Sequence, residues 1–176
     1  SNAHPKRIVI IGGGAAGFAA AEMLRRRGFA GELTMLGADA DAPYDRPNLS
    51  KDYLAGTAPE DWIPLKDEAF YRDHRIDLRL GAEAVALDVR ARKIKLRTGP
   101  ALSYDALLLA TGAAPIRPQA PGFDRANVHV LRSLADSRAI IAAAAGAQRV
   151  PLVGGGFIRL ETAASLRART LETHVT

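Results

Sequence analysis

Residues 7–17 read RIVIIGGGAAG, a strand-like run that is followed by glycines and alanines. Arg7 to Ile11 is a β-branched run, typical of a strand that is buried on both faces of a parallel sheet. Ala15 to Arg27 is predicted as a helix, and Glu32 to Leu36 is predicted as the second strand. Together they make a βαβ unit of about 30 residues, which indicates an α/β fold.

The glycines after the first strand match the pattern G-x-G-x-x-G through Gly12, Gly14 and Gly17. Glycine there permits a tight turn, close approach of the backbone to a pyrophosphate and close packing of helix on strand. We therefore predict dinucleotide binding, and a merely structural turn is the alternative. Asp39, at the end of the second strand, is the candidate for the ribose hydroxyls; Asp41 and an unengaged loop acid are the alternatives.

Further elements follow a proline-containing loop over residues 43–59. A short helix is predicted at Asp67 to His74 and a strand at Ile76 to Leu80. Three β-rich runs then indicate an antiparallel meander, and the last of them continues to Gly112 and is expected to re-enter the buried sheet. These runs are Ala84 to Asp88, Lys93 to Arg97 and Tyr104 to Leu109.

The N-terminal pattern is repeated near the C-terminus. After a predicted helix at Leu134 to Ala145, the chain shows a strand, a glycine turn, a helix and a strand again. These lie at Arg149 to Val153, Gly154 to Gly156, Phe157 to Arg169 and Leu171 to Thr176.

The composition excludes several classes of protein. Hydrophobic residues are 48% of the chain, and no apolar run reaches the roughly 20 residues that span a bilayer. Zero cysteines exclude disulfides and iron–sulfur clusters held by this chain, and the four histidines lack metal-ligand spacing. The net charge is +5, but the cations are scattered among carboxylates, so nucleic-acid binding is not predicted.

The first residues of the chain are interpreted as foreign to the native sequence. Ser1-Asn2-Ala3 is typical of the remnant of an affinity tag. No signal or transit peptide is visible, and a cytoplasmic location is expected.

Four segments together resemble a known family. The first glycine motif, residues 43–51 (PYDRPNLSK), the strand end Ala110-Thr111-Gly112 and the second glycine run are similar to FAD-dependent ferredoxin reductases of Rieske oxygenase systems and the related apoptosis-inducing-factor-like oxidoreductases. The order and spacing match along nearly all 176 residues. The PYDRPNLSK segment is the most specific, because it separates this branch from disulfide reductases with a cysteine pair.

The resemblance implies an FAD site. FAD would lie across the first βαβ unit, with the backbone near Ala16 at the pyrophosphate and with Arg46 and Lys51 beside the flavin. A fixed cation there would stabilise the negative charge of reduced flavin. The alternative for Arg46 and Lys51 is a solvated loop with surface ion pairs.

Further cofactor contacts follow from the same resemblance. Thr111 and Gly112 belong to the matching strand end, Val85 matches a position whose backbone contacts adenine, and Arg132 matches a cofactor-contacting arginine. Val85 is equally well explained as a core residue of the meander, and Arg132 as a surface cation beside a helix.

The second glycine motif would bind NAD(P)H through Gly154 and Gly156. The resemblance also implies that Glu161, on the following helix, reaches Lys51, so these two residues are the candidates for a catalytic role. An exposed helical residue is the alternative interpretation of Glu161.

Departures from the family cluster after residue 150. Arg159 replaces the third glycine and is expected to push its helix away from the strand. Pro151 is expected to remove a ladder donor from a buried strand, and Thr170 replaces a glycine near the helix end. Threonine also stands where apolar residues would continue the pattern, at Thr162, Thr173 and Thr176.

The expected architecture is a Rossmann-like FAD/NAD(P)-binding three-layer α/β fold with a parallel sheet and an antiparallel meander. Residues 4–125 would be the N-terminal part of an FAD domain, and residues 126–176 an incomplete second dinucleotide-binding unit. The remaining segments of the family are missing from the 176 residues, so no turnover is expected from this chain alone. A swapped dimer through residues 150–176 could compensate.

The parent protein is expected to pass a hydride from NAD(P)H to FAD and then single electrons to a ferredoxin or Rieske-type iron–sulfur protein. A non-catalytic flavoprotein of the apoptosis-inducing-factor-like kind is the second hypothesis. A fragment that binds no cofactor is the third.

Overall fold

The computed structural model describes residues 4–176. Ser1-Asn2-Ala3, interpreted above as a tag remnant, lie outside the described residues. The chain divides into two compact units. The first unit contains the residues up to Tyr44 together with Pro64–Gly112, and the second unit contains Asp45–Ile63 and Ala113–Thr176.

This division differs from the predicted domain boundary at residue 125. Asp45–Ile63, which carries Arg46 and Lys51, groups with the C-terminal residues rather than with the βαβ unit that precedes it. Ala113 to Arg125 also groups with the second unit. The assignment of 4–125 to FAD and of 126–176 to NAD(P) concerns ligands and stays a prediction.

The predicted strands and longer helices are present, with bounds that differ by one or two residues at most outside the meander. The strands are β1 (Arg7–Ile11), β2 (Glu32–Leu36), β3 (Ile76–Arg79), β4 (Ala84–Asp88), β5 (Lys93–Leu96), β6 (Leu102–Ser103), β7 (Ala106–Leu109), β8 (Arg149–Leu152) and β9 (Glu172–Val175). The helices are α1 (Ala15–Arg26), α2 (Asp52–Ala55), α3 (Glu68–Asp73), α4 (Leu134–Ala144) and α5 (Phe157–Ala168).

A parallel sheet forms the middle layer of the first unit. Its strand order within the described residues is β3-β2-β1-β7, and Arg7 lies opposite Glu32 in the register of β1 and β2. One face packs against α1 and α3 through Ile10, Phe18 and Tyr71. The rings of Phe18 and Tyr71 meet edge to face, with centroids 6.3 Å apart.

The antiparallel meander of β4, β5 and β6 covers the other face of the sheet. Val9 and Leu36 of the sheet pack there against Ile94 and Leu96 of β5. Helices, sheet and meander therefore make three layers, and the predicted fold class is confirmed.

The prediction of a single third strand in the meander is wrong. Tyr104 to Leu109 does not form one strand: β6 ends at Ser103, and β7 begins at Ala106 and joins β1 in the parallel sheet. The reason is Asp105, whose side chain accepts hydrogen bonds from the backbone N–H groups of Lys6 and Arg7 at 3.0 and 2.8 Å. These bonds hold the chain at the start of β1, so it leaves the meander there.

The loop predicted over residues 43–59 is also more regular than expected. It contains a 3₁₀ helix at Arg46–Ser50 and the helix α2, and a further 3₁₀ helix lies at Glu60–Trp62. Pro47 suits the first turn of a helix because its φ is already fixed near the helical value. Gly56 ends α2 at φ +86°, a conformation that glycine adopts at low cost.

In the second unit, β8 and β9 pair in parallel, and α5 connects them. The core around them contains Leu54, Ala144, Leu166 and Leu171. A capping box fixes the start of α4, because the Ser133 hydroxyl accepts from the N–H of Asp136 and the Asp136 carboxylate accepts from the N–H of Ser133.

The prediction that Pro151 removes a ladder bond is wrong for the pairing of β8 with β9. The carbonyls of Gln148 and Leu152 accept from Glu172 and Thr176 of the β9 region, at 2.9 and 3.0 Å. Because alternate residues of a parallel strand bond to the same neighbour, the nitrogen of Pro151 faces away from β9. The proline is exposed and lies opposite His174 without interrupting the pairing.

Candidate functional site

The first glycine turn, residues 12–17, connects β1 to α1 with no room for side chains at two of its glycines. A Cβ at Gly12 would lie 2.0 Å from the carbonyl oxygen of Ala110, and Gly12 has φ +136°. A Cβ at Gly17 would lie 2.0 Å from the carbonyl oxygen of Gly12. Only glycine permits this approach of α1 to the strand ends, which is the packing that a dinucleotide-binding turn requires.

The N-terminus of α1 opens from this turn. Gly14 is the N-cap, and the first intrahelical bond runs from the N–H of Phe18 to the carbonyl of Gly14, at 3.0 Å. The N–H groups of Ala15 and Ala16 precede that bond, and both residues are exposed. Since the first turn contains no acidic residue, these N–H groups and the helix dipole can serve an anion.

The end of β2 lies beside the turn. A Cβ at Gly13 would lie 3.2 Å from the Cα of Gly37, which is closer than an ordinary contact, so this position favours glycine. Two residues further on, the exposed Asp39 accepts a hydrogen bond from the Tyr44 hydroxyl at 3.0 Å. The structure thus places Asp39 near the turn with its carboxylate held, and the choice between Asp39 and Asp41 as the ribose ligand stays a prediction.

Thr111 and Gly112 lie on the other side of the turn. A Cβ at Gly12 would also lie 3.2 Å from the backbone nitrogen of Thr111. Gly112 has φ +70°, which lets the chain leave β7 sharply. The structure therefore brings Thr111 next to the first glycine turn, and Gly112 directly follows Thr111 in the chain.

Val85 is not a core residue of the meander, so that alternative interpretation is wrong. Its exposed fraction is 42%. It lies at a β-bulge, because Ala84 pairs with Leu96 and Ala86 with Lys95, which leaves Val85 outside the described register. A bulge frees backbone polar groups from the ladder, as a backbone contact to a ligand requires.

Lys51 and Glu161 meet in the second unit. The distance between Lys51 Nζ and Glu161 Oε1 is 3.7 Å, with exposed side-chain fractions of 51% and 35%. The other carboxylate oxygen, Oε2, accepts a hydrogen bond from the Ser50 hydroxyl at 2.7 Å. The structure thus brings the two predicted catalytic candidates together, and their roles stay a prediction.

Arg46 and Arg132 also lie together. The Arg46 guanidinium donates to the backbone carbonyl of Arg132, and the N–H of Arg132 donates to Asp136 at 2.9 Å. Arg46 therefore holds the chain in front of α4. This contact does not fit the interpretation of Arg46 as a solvated loop cation.

The sequence did not reveal the residues that hold this region in place. We call residues 46–55 the Lys51 segment. Its backbone carbonyls at Leu49, Ser50 and Leu54 accept hydrogen bonds from α4, α5 and the residue that follows α5; the donors are Ser137 at 3.0 Å, Ser165 at 2.7 Å and Arg169. The available signal was the presence of serines on otherwise apolar helix faces, since a buried hydroxyl needs a partner.

A second polar cluster joins α2 to α4. Glu60 accepts from the Tyr53 hydroxyl and from Arg138, both at 2.5 Å. The hydrogen bond from Arg138, followed by that from Tyr53, lowers the pKa of Glu60. Desolvation, followed by the hydrogen bond to Glu60, raises the pKa of Tyr53 to about 12.

The second glycine turn is open. Gly154 has φ +149°, Gly156 is the N-cap of α5, and among the described residues no atom outside the turn lies within 4 Å of a Cβ at these glycines. Arg159 donates to the carbonyl of Thr176 at 2.7 Å. The expected loss of close packing at Arg159, the third position of the motif, stays a prediction.

The described residues contain neither a metal-ligand cluster nor a membrane-spanning helix. Within residues 4–176, no group of three or more His, Cys, Asp or Glu side chains has an arrangement that could hold a metal ion. In the same range, no helix is both long enough and apolar enough to cross a membrane.

The three-layer first unit and the two strand–glycine–helix turns define the class: a protein with the Rossmann-like FAD/NAD(P)-binding fold. The chain belongs to the pyridine nucleotide-disulphide oxidoreductase family, whose pattern matches residues 6–176. Without cysteine, this chain itself offers no thiol for disulfide chemistry.

Three relatives illustrate the membership. The ferredoxin–NAD(+) reductase component of the biphenyl dioxygenase system of Paraburkholderia xenovorans LB400 is 44% identical over 96% of this chain and 41% of its own length. Human apoptosis-inducing factor 3 is 37% identical over 90% of this chain and 26% of its own length. The solved ferredoxin reductase for the CYP199A2 system of Rhodopseudomonas palustris superimposes with a TM-score of 0.91 at 34% identity, over 97% of this chain and 42% of its own.

Proposed function

We propose that this chain is the N-terminal part of an FAD-dependent NAD(P)H oxidoreductase that passes electrons to a ferredoxin-type iron–sulfur protein. The observation that carries the proposal is the first glycine turn, where Gly12 and Gly17 exclude side chains and the N-terminus of α1 is open. The reductase names of two relatives support the electron-transfer activity. The chain spans about two fifths of their lengths, so the activity of the whole protein is part of the proposal.

The first unit fits the adenosine diphosphate part of FAD. The N–H groups near Ala16 would hold the pyrophosphate, with Gly12, Gly14 and Gly17 giving it room. Asp39 would bind the ribose hydroxyls, since a carboxylate accepts from both of them. The bulged backbone at Val85 would contact adenine, and the strand end at Thr111 and Gly112 would border the cofactor.

The second unit would supply the charged groups that serve the flavin. Bound FAD supplies the chemistry, because it accepts a hydride and releases single electrons. Lys51 would provide a fixed positive charge that favours the reduced, anionic form. Glu161 would hold the Lys51 side chain in place, and Arg46 would order the chain at Arg132.

Gly154 and Gly156 are proposed to receive the pyrophosphate of NAD(P)H at the start of α5. The second turn keeps the N-cap glycine and the positive φ of Gly154 that such a turn uses. Arg159 adds a cation three residues after that N-cap. A weak nucleotide site is the expected result, because Arg159 replaces the third glycine, whose role is to allow close packing of helix on strand.

The experiment is an absorbance spectrum of the 176-residue chain before and after incubation with FAD and desalting. Retained bands near roughly 370 and 450 nm, as expected for protein-bound flavin, would support the proposal. Asp39→Ala is expected to weaken retention, and Asp41→Ala is the matched control two residues away. A colourless wild-type chain that cannot be loaded would contradict FAD binding by this chain.

The name of the human relative favours a second candidate, a flavoprotein of the apoptosis-inducing-factor-like kind. The two candidates differ in turnover. Rapid NADH oxidation by the full-length protein with an electron acceptor would favour the reductase. Slow reduction accompanied by a change in oligomeric state would favour the alternative.

The proposed electron acceptor is a small acidic iron–sulfur protein, either a ferredoxin or a Rieske-type protein. The net charge of +5 favours an acidic partner, because opposite charges accelerate association. The reductase rate is therefore expected to fall as ionic strength rises. A salt-independent rate would argue against an acidic acceptor.

A further inference from the structure

Ser50 is attached to helix α5 by two hydrogen bonds of opposite direction. Its backbone carbonyl accepts from the Ser165 hydroxyl at 2.7 Å, and its own hydroxyl donates to Glu161 Oε2 at 2.7 Å. Both serines are buried, with exposed fractions of 5% and 6%. Because Glu161 and Ser165 are four residues apart, they lie on one face of α5. Ser50 is thus fixed to that face by its backbone and by its side chain.

The neighbouring Lys51 depends on this attachment. The Ser165 hydroxyl lies 3.1 Å from the Lys51 carbonyl as well, so the backbone on both sides of the peptide bond between Ser50 and Lys51 is held. One helix away, Ser137 is fully buried and donates to the Leu49 carbonyl at 3.0 Å. Three consecutive carbonyls of the Lys51 segment are therefore positioned by buried hydroxyls.

The Lys51–Glu161 pair needs such support. The two charged groups are 3.7 Å apart and both side chains are partly exposed. Solvent screening and the entropy of the two side chains weaken an ion pair of this kind. With Oε2 held by Ser50, the carboxylate has one orientation, and in that orientation Oε1 faces Lys51. Without the Ser50 hydroxyl, the Glu161 side chain would be free to rotate towards solvent.

We propose that Ser50 is a positioning residue, which holds the Glu161 carboxylate against Lys51 and couples the position of α5 to the Lys51 side chain. The consequence of this positioning, control of the positive charge beside the flavin, rests on the proposed function. The contact between Ser50 and Glu161 itself is independent of any cofactor, and it can be tested without one.

The first test is nuclear magnetic resonance of the labelled 176-residue chain without FAD. Ser50→Ala is expected to shift the Glu161 Cδ and Lys51 Nζ resonances towards those of solvent-exposed side chains. Thr57→Ala is the matched control: it removes a hydroxyl that donates to the Asp52 carbonyl at 3.2 Å on the exposed side of the same region, and it should leave both resonances in place. Unchanged resonances in a folded Ser50→Ala variant would overturn the proposal.

Ser50→Cys provides a second variant of nearly equal volume, in case alanine prevents folding. A thiol is a weak donor, so the same two resonances are expected to shift in the same direction. Wild-type resonances in this variant would equally overturn the proposal.

The second test is the flavin midpoint potential of the FAD-loaded protein. Lys51→Ala and Ser50→Ala are expected to shift it in the same direction, with a smaller shift for Ser50→Ala. If only Lys51→Ala shifts the potential, the positioning role fails while the proposed function stands. If FAD does not bind, the proposed function fails, and the resonance measurements still decide the role of Ser50.

Discussion

The two βαβ units of this chain begin with similar residues but differ in how crowded their glycine turns are. In the first, Gly12 and Gly17 lie in contact with backbone carbonyls, so a Cβ would overlap at 2.0 Å. In the second, Arg159 occupies the position of the third glycine, and no such contact exists at Gly154 within the described residues. The same glycine run therefore does not fix the packing of the turn: Gly12 is crowded by the carbonyl of Ala110, which follows β7, whereas β8 has only β9 as a described neighbour.

The C-terminal ends of α1 and α5, in contrast, differ in sequence but share one backbone conformation. Gly28 after α1 and Thr170 after α5 both have positive φ, +86° and +69°. Both helices end with the same hydrogen bonds, from Gly28 to Arg25 and from Thr170 to Arg167. The backbone of this helix end is therefore retained without glycine, but a β-branched residue is strained in the left-handed region.

The first prediction concerns the environment of the first strand in each unit and carries the largest effect. Val9→Pro should destabilise the first unit by about 3 kcal/mol or more, because β1 has a hydrogen-bonded neighbour on each side. Pro151→Val should change stability by less than about 0.5 kcal/mol, because Pro151 faces away from β9. Calorimetry and amide hydrogen exchange would measure both, and comparable effects at the two sites would contradict this account of β8.

The second prediction tests the packing of the turns. Gly17→Ala should cost about 1–3 kcal/mol, because its Cβ forces Gly12 to move, and it should also reduce FAD retention. Gly155→Ala, in the open turn, should cost less than about 0.5 kcal/mol. Hydrogen exchange of the β1 amides is the sensitive measurement. Equal tolerance at both positions would show that the crowding at Gly17 is not important.

The third prediction concerns the helix ends. Thr170→Gly should stabilise the second unit by about 1 kcal/mol, because it relieves a β-branched residue at φ +69°. The reciprocal change Gly28→Thr should destabilise the first unit by a similar amount; a Cβ there meets no described atom within 4 Å, so only backbone strain contributes. Thermal unfolding of the two variants checks both signs. A destabilising Thr170→Gly would disprove the strain.

The fourth prediction uses charge and carries the smallest effect. Arg7 and Arg149 each begin a strand opposite a glutamate, but Arg7 donates to Asp105 at 3.1 Å whereas Arg149 lies 3.5 Å from Glu172. The hydrogen bond from the Arg7 side chain, with that from its backbone N–H, lowers the pKa of Asp105 below its ordinary value of 3.8.

A carboxylate with a lowered folded-state pKa contributes stability above pH 3.8, and this contribution is lost as the pH falls further. The wild-type chain should therefore lose slightly more thermal stability between pH 6 and pH 3 than Asp105→Asn does. Glu172→Gln is the control in the second unit. The same acid dependence in wild type and Asp105→Asn would show that the contact contributes nothing.

The strands and longer helices could be predicted because their signals are local. β1 and β2 have the predicted bounds, and α1 ends within one residue of the predicted end. The division of the run at Tyr104 to Leu109 could not be predicted, because it depends on Asp105 contacting residues 98 and 99 positions earlier. The short helices in residues 43–59 were missed for a related reason: they are too short to show a hydrophobic period.

The βαβ unit, the first glycine turn and the family could be inferred from the residues alone. These follow from periodicity and from glycine at fixed spacing, which act within a few residues and leave a pattern in the chain. Two features are visible only in the folded chain: Asp45–Ile63 belongs with the second unit, and Ser165 donates to the carbonyl of Ser50. The two serines are 115 residues apart, and any serine can donate to any carbonyl, so only the packing of the helices selects this pair.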